Sequence, residues 1–469
     1  MLPVMTATER PLGRSTIARY AVGSIGTGGF GTLPGLVLVY YLTDTLGVTA
    51  LLAGVIVTVA KIWDVIIDPV IGYRSDRALA RTGSRRGPML LGAIALPVCF
   101  LLTFAVPEGL APGWAAAWVL VAFTLTATAF SLFQVPYIAL PAEITTGYDA
   151  RTRLLTWRVV VLSVAILLFG AGAPALRRAG PDEYTGYLVM ALVAGLVIGA
   201  GLLIASFTAP KGAVPATDAA PATQRGSAWR GIREQYAAGV LVLRRSAPFR
   251  ALLSTFVLQA LATGLMLAAA NYVAVWVLHS DDALTFLFLA LIGPAILMAP
   301  AWGAVSRRVG KERAFLWASV LFAVATLGLT PLLFAPGAWV YLPVALAGAA
   351  YAGMQSLPMA MLPDVVSVDA ATHGEGSAGS FGGVWTAGET AGMALGASAL
   401  AVVLAVTGYA ESVGSEVVAQ SSAAVAGIAI AFSVVPAALA LISLVTLGRY
   451  RLRRTDIDRA VQAQEETPR

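Results

Sequence analysis

The chain has 469 residues and a net charge of +6; 58% of its residues are hydrophobic and 12% are charged. The charged fraction is about half of the ~25% that is usual for soluble domains, and a soluble core of this length could not bury so much apolar surface. With a mean hydropathy of +0.80, the composition excludes an ordinary soluble protein and favours an α-helical protein that crosses a membrane many times.

Apolar runs of about 20 residues, the length that spans a bilayer, recur along the whole chain. The first begins near Ile17 and lasts to about Tyr41, longer than the apolar part of a signal peptide, so we expect no cleaved leader. Twelve membrane-spanning helices are predicted, at residues 17–43, 49–74, 88–106, 114–140, 155–176, 184–207, 249–278, 283–305, 313–334, 337–365, 377–407 and 422–447.

A polar stretch separates the sixth predicted span from the seventh. It begins with the Pro- and Ala-rich APKGAVPATDAAPATQRGS and continues with the basic WRGIREQYAAGVLVLRRS, which is typical of a short amphipathic helix on the membrane surface. The predicted organisation is an N-terminus at 1–16, a six-helix half at 17–207, a linker at 208–248, a second six-helix half at 249–447 and a tail at 448–469.

Basic residues are concentrated in alternate loops between the spans. By the positive-inside rule these loops are cytoplasmic, which places the linker and both termini in the cytoplasm and the protein in the plasma (inner) membrane. Arg177 and Arg178, in a loop of the opposite set, are exceptions to this pattern. Since topology accounts for the basic residues, we expect no nucleic-acid partner.

Two motifs occur once in each half. GYRSDRALARTGSRR follows the second span and GAVSRRVGKER the eighth, so that Gly72 and Gly303 are each followed by an arginine five residues later. PYIALPAE ends the fourth span and PMAMLPD the tenth; both have two prolines five residues apart and then an acid, Glu143 or Asp364. Internal repeats of this kind are typical of transporters whose halves rock about a site near the bilayer midplane.

The second span contains three charged residues, in KIWDVIIDPVIG. Asp64 and Asp68 are four residues apart, so their carboxylates project from one helix face, and Lys61 shares that face. Charged groups inside a membrane usually face an aqueous cavity or a partner. Two neighbouring carboxylates suit a small cation or a shared proton, with Asp68 the better candidate if Lys61 neutralises Asp64. The other interpretation is a buried Lys61–Asp64 ion pair that only holds helices together.

Other polar residues lie in predicted spans. Glu389 is alone in SFGGVWTAGETAGMALG and is a candidate proton carrier or a hydrogen-bonding group in a close-packed helix pair. Gln134, Gln259, Asn271, Tyr272 and Gln355 are candidates to line a cavity or to bond neighbouring helices.

Several of these segments resemble one transporter family. KIWDVIIDPVIG, VPYIALPAEITTGYDARTRL and LPMAMLPDVVSVDAATHGEGSAGSF resemble segments of the glycoside–pentoside–hexuronide:cation symporters, the melibiose-carrier-like branch of the major facilitator superfamily. The resemblance covers the whole membrane domain. It implies an all-α fold of twelve transmembrane helices in two halves, alternating access, and solute movement coupled to Na⁺ or H⁺.

The resemblance also assigns roles to individual positions. The two aspartates of the second helix, matching Asp64 and Asp68, form part of the cation site, and Arg158 matches a position near the substrate or the cytoplasmic gate. Gly28 and Thr128 stand where the sugar-transporting members carry acids, and Glu389 stands roughly where they carry a lysine. These departures weigh against a sugar and favour a proton as the coupling ion. By this resemblance Thr128 is a further candidate for the cation site, and the candidates for coupling or substrate contact are Gly28, Lys61, Arg158 and Glu389.

A cytoplasmic gate is expected where the repeated motifs lie. By resemblance, Asp76 of the GYRSDR motif would pair with a helix end and a neighbouring arginine in one conformation and release it in the other. The gate residues predicted on this basis are Gly72, Asp76, Arg77, Arg81, Glu143, Arg151 and Asp364, with Glu143 paired to Arg151.

The sequence thus predicts a cation-coupled symporter of a small organic solute, functional as a monomer. A lysolipid or other amphiphile carrier of the same fold, or a membrane sensor that does not transport, are the other hypotheses. No enzyme, cofactor or metal is expected beyond Na⁺ at Asp64 and Asp68, because the sequence has no metal-ligand cluster and a single cysteine, Cys99.

Overall fold

The computed structural model describes residues 13–144, 148–210, 237, 239–280, 282–373, 378–413 and 418–452. The ends of the chain and most of the predicted linker therefore lie outside the described residues. The rest is almost entirely helical, as long apolar segments in a bilayer must be, because a helix satisfies every backbone hydrogen bond within itself.

The first half contains seven named helices in six membrane-spanning segments. They are α1 (Arg14–Val22), α2 (Ser24–Tyr40), α3 (Ala50–Thr82), α4 (Arg86–Phe104), α5 (Pro112–Ile144), α6 (Tyr148–Arg177) and α7 (Glu183–Ser206). The helices α1 and α2 follow one another as the first span, and a π-helical turn, Tyr41–Thr45, extends it.

The second half repeats this arrangement. Its helices are α8 (Ala247–Tyr272), α9 (Ala283–Val309), α10 (Lys311–Leu327), α11 (Tyr341–His373), α12 (Ala378–Val406), α13 (Ser422–Phe432) and α14 (Val434–Leu447). A π-helical turn, Val273–Val277, extends α8, and α13 with α14 forms the last span.

Among the described residues, eleven of the twelve predicted spans are helices long and apolar enough to cross a membrane. The remaining predicted span, the tenth in chain order, corresponds to α11, which is 33 residues long. It mixes small and polar residues with apolar ones in YLPVALAGAAYAGMQS, which lowers its hydropathy. It packs against α9 and α10 within the bundle.

The second span is longer than predicted. The sequence placed its end at residue 74, but α3 continues through RSDRALART to Thr82. It stops at Gly83, which has φ +66° and donates its N–H to the Leu79 carbonyl at 2.7 Å. Glycine ends helices readily in this left-handed conformation because it has no Cβ. Most of the predicted gate motif is therefore part of a helix rather than a loop.

Helices pack mainly within each half. In the first half α4 lies against α5 and α7, and α2 lies against α6; in the second half α8 lies against α12 and α14. Glycines permit the closest approach: a Cβ on Gly396 of α12 would lie 2.4 Å from the Leu265 nitrogen of α8. Contacts between the halves join α3 to α12, α6 to α9 and α2 to α8.

The two ends of the bundle are distinct. We call the end that holds residues 207–210 and 239–246, on either side of the linker, the linker end. The opposite end, with residues 41–50, 104–112, 177–183, 273–280, 282–283, 407–413 and 418–421, is the far end.

Candidate functional site

The acidic pair of α3 faces α5, within the first half. The Asp68 carboxylate hydrogen-bonds the Ser131 hydroxyl of α5 and lies within electrostatic range of Asp64 and Lys61. The Lys61 ammonium lies 3.0 Å from Asp64 Oδ2 and 5.8 Å from the centre of the Phe30 ring on α2. The predicted sharing of one helix face by the three charged groups therefore holds.

Each aspartate retains an unused oxygen. Oδ1 of Asp64 and Oδ1 of Asp68 are buried and have no hydrogen-bond partner in the described structure. A buried carboxylate oxygen without a donor is costly, and a bound cation or proton would relieve that cost. The Lys61 side chain is 30% exposed, so the group is not sealed inside the protein. The ion pair with Lys61 therefore engages only one of the carboxylate oxygens, Oδ2 of Asp64, and does not explain the unpaired oxygens of the two aspartates.

Thr128, predicted as a cation ligand, is engaged with its neighbours. Its hydroxyl accepts a hydrogen bond from the Trp63 indole at 2.8 Å and donates to the Thr124 carbonyl at 2.8 Å. Trp63 adjoins Asp64 in the chain, so this bond fixes α3 against α5 beside the acidic pair. The hydroxyl of α5 that bonds a carboxylate of the pair belongs to Ser131 instead.

Gly28 and Arg158 lie elsewhere in the first half. A Cβ on Gly28 would meet Ala165 Cβ at 2.7 Å, so this position is a close contact between α2 and α6. Arg158 bonds the Tyr137 hydroxyl, and its guanidinium lies 5.6 Å from the centre of the Tyr137 ring. Its Nε is buried without a hydrogen-bond partner among the described residues.

Glu389 lies on α12 in a cleft of the second half, between α8, α11 and α12. Gln259, Thr263, Tyr351 and Gln355 line the same cleft.

The five polar span residues named from the sequence all form hydrogen bonds with other residues of the bundle. Gln134 accepts from Thr27, Asn271 accepts from Arg177, and the Tyr272 hydroxyl bonds Thr43. Gln259 donates to Ser319 and Ser443, and Gln355 donates to Tyr351. Gln259 and Gln355 combine that role with lining a cleft.

Acidic residues of the repeated motif form equivalent ion pairs at the linker end. Glu143, ending α5, pairs with Arg85 just before α4, and Arg85 also donates to the Ser75 hydroxyl of α3 at 2.9 Å. In the second half Asp364 of α11 accepts from Lys311, the first residue of α10, at 2.6 Å. Both pairs stay within their own half, and the two halves therefore share this feature of their structure.

The remaining predicted gate residues are only partly described. The side chains of Asp76 and Arg151 lie outside the described residues, and so does the predicted Glu143–Arg151 pair; Glu143 bonds Arg85. Arg77 and Arg81 are exposed on α3. Gly72 has open space around it apart from Val135, whose side chain lies 3.6 Å from where a Cβ on Gly72 would stand.

The far end contains a buried polar cluster that joins the halves, and sequence reasoning missed it. Asp44, 3% exposed, accepts from the Thr43 hydroxyl at 2.5 Å and from the Tyr409 hydroxyl of the other half at 2.5 Å. Thr43 also bonds the Tyr272 hydroxyl of α8 at 2.7 Å. Burial, and then the Asp44 charge, raises the pKa of Tyr409, so its hydroxyl keeps the proton that it donates.

Further bonds close the far end around this cluster. Ser412 donates its hydroxyl to the Asp44 carbonyl at 3.0 Å, and Glu411 accepts from the Ala50 N–H at the start of α3 at 3.1 Å. Arg178 of the first half lies 3.2 Å from Asp282 of the second. Among the described residues, the linker-end pairs Arg85–Glu143 and Lys311–Asp364 each stay within one half, whereas the far end has hydrogen bonds and an ion pair between the halves.

Comparison with known proteins agrees with this geometry. Residues 19–454 match the family model described as MFS/sugar transport protein. An uncharacterized symporter of Synechocystis sp. is 24% identical over 96% of this chain and 97% of its own length. The glucuronide carrier protein homolog of Escherichia coli is 24% identical over 93% of this chain and 92% of its own length.

A solved structure shows the same fold. The xylose transporter XylE from E. coli superposes with a TM-score of 0.60 at 14% identity, covering 94% of this chain and 99% of its own. The predicted fold class is thereby confirmed at the level of the all-helical, two-half architecture.

Proposed function

Because the chain belongs to the MFS/sugar transport protein family, we propose that it is a secondary transporter that moves a small organic solute together with Na⁺ or H⁺. It is a multi-pass membrane protein and not an enzyme, since its family and the relatives it matches are transporters. The names of those relatives, a symporter and a glucuronide carrier homolog, support symport over a non-transporting sensor and support a sugar-like solute.

The unused oxygens of Asp64 and Asp68 carry the proposal. They are buried acceptors on neighbouring turns of α3, and Lys61 neutralises at most one of the two charges. A Na⁺ ion or a proton at Asp68 completes the coordination that Ser131 leaves unfinished. Asp68 is thus the proposed primary cation ligand, with Asp64 beside it.

The bonding at the two ends supports alternating access. Among the described residues, the far end is bonded across the halves while Arg85–Glu143 and Lys311–Asp364 stay within them, and from this we infer that the conformation opens toward the linker. If the linker and both termini are cytoplasmic, as the basic loops predict, it is the inward-facing state of a plasma (inner) membrane protein. Outward opening then requires the Asp44 cluster to separate. Each half carries its own set of helices and ion pairs, which suits a protein that works as a monomer.

A thermal-shift screen followed by transport tests the function. Purified protein is heated with sugars, glycosides, uronates and lysolipids, with and without Na⁺ and at several pH values, because a ligand that binds the folded state raises its melting temperature. A stabilising solute is then offered to proteoliposomes under a Na⁺ or a proton gradient. We expect accumulation that depends on one gradient. Entry of the solute at the same rate without either gradient would contradict coupling.

A further inference from the structure

A second polar site lies in the half opposite the acidic pair. In the cleft between α8, α11 and α12, Glu389 and Gln259 meet the side chains of Thr263, Tyr351 and Gln355. Phe256 and Met354 supply apolar walls. The cleft is therefore a small concave site in which five polar side chains converge between apolar walls.

The orientation of Gln259 is fixed by its neighbours. Its Nε2 lies 2.8 Å from the Ser319 hydroxyl and 3.1 Å from the Ser443 hydroxyl. Both serines donate their own protons to backbone carbonyls, at 2.8 Å and 2.7 Å, so each can only accept from Gln259. The amide nitrogen must therefore point to the serines, and the amide oxygen points away from them.

That oxygen has no donor. Gln259 is 2% exposed, and its Oε1 is buried without a hydrogen-bond partner among the described residues. A buried amide oxygen left unpaired costs free energy that a ligand N–H or O–H can recover. This is the polar atom that the cleft leaves unsatisfied.

The neighbouring groups do not supply a donor to it. Thr263 donates its hydroxyl to the backbone carbonyl of Gln259 at 3.0 Å, not to the side-chain oxygen. Gln355 donates its side-chain amide to the Tyr351 hydroxyl at 2.6 Å. Glu389 adds a carboxylate that has no ion-pair partner in the described part of the chain, and no Lys, Arg or His is among the described residues lining the cleft. The cleft therefore presents two groups that can accept a hydrogen bond, the Gln259 oxygen and the Glu389 carboxyl, with no cation among the described residues that line it.

We propose that this cleft holds a hydrogen-bond-donating group of the transported solute, a hydroxyl or an ammonium, and rejects its anionic groups. The inference rests on the proposed function for the identity of the occupant, but the chemistry of the cleft stands on Gln259 and Glu389. A hydroxyl satisfies the Gln259 oxygen and the carboxylate together, and an ammonium also pairs with the Glu389 charge. The solute then contacts the second half, while the cation binds the first.

Cysteine labelling tests the charge preference of the cleft without any need for transport. Thr263→Cys is made in a Cys99→Ser background, and its rates of reaction with 2-aminoethyl and 2-sulfonatoethyl methanethiosulfonate are measured, each divided by the rate with a free thiol. We expect the cationic reagent to be favoured about tenfold, because a charged, low-dielectric cleft concentrates ions of opposite sign. Adding Glu389→Gln should bring the ratio close to one.

Equal normalised rates for the two reagents, or a preference unchanged by Glu389→Gln, would overturn the proposal. If Glu389→Gln does not fold, Glu389→Ala takes its place, and Met393→Cys gives a second reporter in the same cleft. Since labelling reports on the cleft alone, a failure of coupled transport would leave this result standing, and the reverse also holds.

Discussion

Two aspartates of the first half, Asp44 and Asp68, differ in how their oxygens are used. At the far end, both carboxylate oxygens of Asp44 accept hydrogen bonds, one of them from Tyr409 in the other half. In α3, Asp68 accepts from Ser131 and keeps Oδ1 without a partner among the described residues. The first carboxylate is saturated and holds the halves together, whereas the second is unsaturated and available to a ligand. The hydrogen bonding of an acid inside a membrane protein therefore distinguishes a carboxylate that holds helices together from one that can bind a ligand.

The far-end cluster around Asp44 must be weak enough for the two halves to separate there. A hydrogen bond contributes about 0.5–1.5 kcal/mol net, and a few such bonds are enough to bias a two-state equilibrium strongly. Alternating access needs both states populated, so the cluster as a whole can favour the closed far end by only a few kcal/mol. Single substitutions there should change the populations measurably.

The largest effect is expected from Asp68→Asn, which removes the charge that the cation needs. Gradient-driven uptake into proteoliposomes should fall by about 100-fold, the upper part of the range for coupling between sites. Asp64→Asn is the matched variant on the same helix face, and we expect a smaller loss because Lys61 already engages Asp64. Full gradient-driven uptake by Asp68→Asn would exclude the proposed role.

Asp44→Asn should open the far end. The amide nitrogen cannot accept a hydrogen bond and the side chain lacks the charge, so the closed state loses about 1.4 kcal/mol, a tenfold change in the equilibrium. The measurement is labelling of Ala274→Cys, a buried far-end position, in a Cys99→Ser background by a membrane-impermeant maleimide. Labelling as slow as with Asp44 intact would contradict the role of the far-end cluster in holding the halves together.

Tyr409→Phe should have a smaller effect in the same assay. It removes the bond between the halves but leaves the Asp44 carboxylate with the Thr43 hydroxyl. A labelling rate about fivefold faster is expected, corresponding to the ~1 kcal/mol of an ordinary hydrogen bond. A larger change than that of Asp44→Asn would show that Tyr409 acts through contacts other than this bond, such as its edge-on packing with Tyr272.

Glu411→Gln should have the smallest effect. The glutamine side chain keeps an oxygen for the Ala50 N–H, so the variant loses only the favourable interaction of a negative charge with the N-terminus of α3. The interaction of one charge with a helix end is modest, and at most about a twofold change in far-end labelling is expected. A tenfold change would show that Glu411 contributes to holding the halves together as strongly as Asp44 does.

Sequence periodicity and composition predicted much of the fold. Hydropathy located every span, since the bilayer sets the length of each apolar run, but helices such as α3 and α11 continue about eight residues past the predicted ends. The proline motifs correctly marked equivalent positions, which the structure fills with the Arg85–Glu143 and Lys311–Asp364 pairs. Glu143 was predicted to pair with Arg151, whose side chain lies outside the described residues; helix packing brings Arg85, 58 residues from Glu143 along the chain, into contact with it.

The far-end cluster could not be predicted in this way. The first span was expected to end at residue 43, which made Asp44 a loop residue, but the π-helical turn Tyr41–Thr45 keeps it inside the bundle. Its partner Tyr409 is 365 residues away, and no periodic pattern connects the two. One signal was present: Arg177 and Arg178 broke the charge rule, and they bond Asn271 and Asp282 of the other half.

The most direct test of cation coupling at Asp68 is the melting temperature of the purified protein as a function of Na⁺ concentration and of pH, without any solute. A cation at one hundred times its Kd stabilises the state that binds it by about 2.7 kcal/mol. We predict that the wild type is stabilised by Na⁺ or shows a pH dependence that Asp68→Asn abolishes and Asp64→Asn only reduces. An Asp68→Asn variant that keeps the full wild-type response would contradict the account.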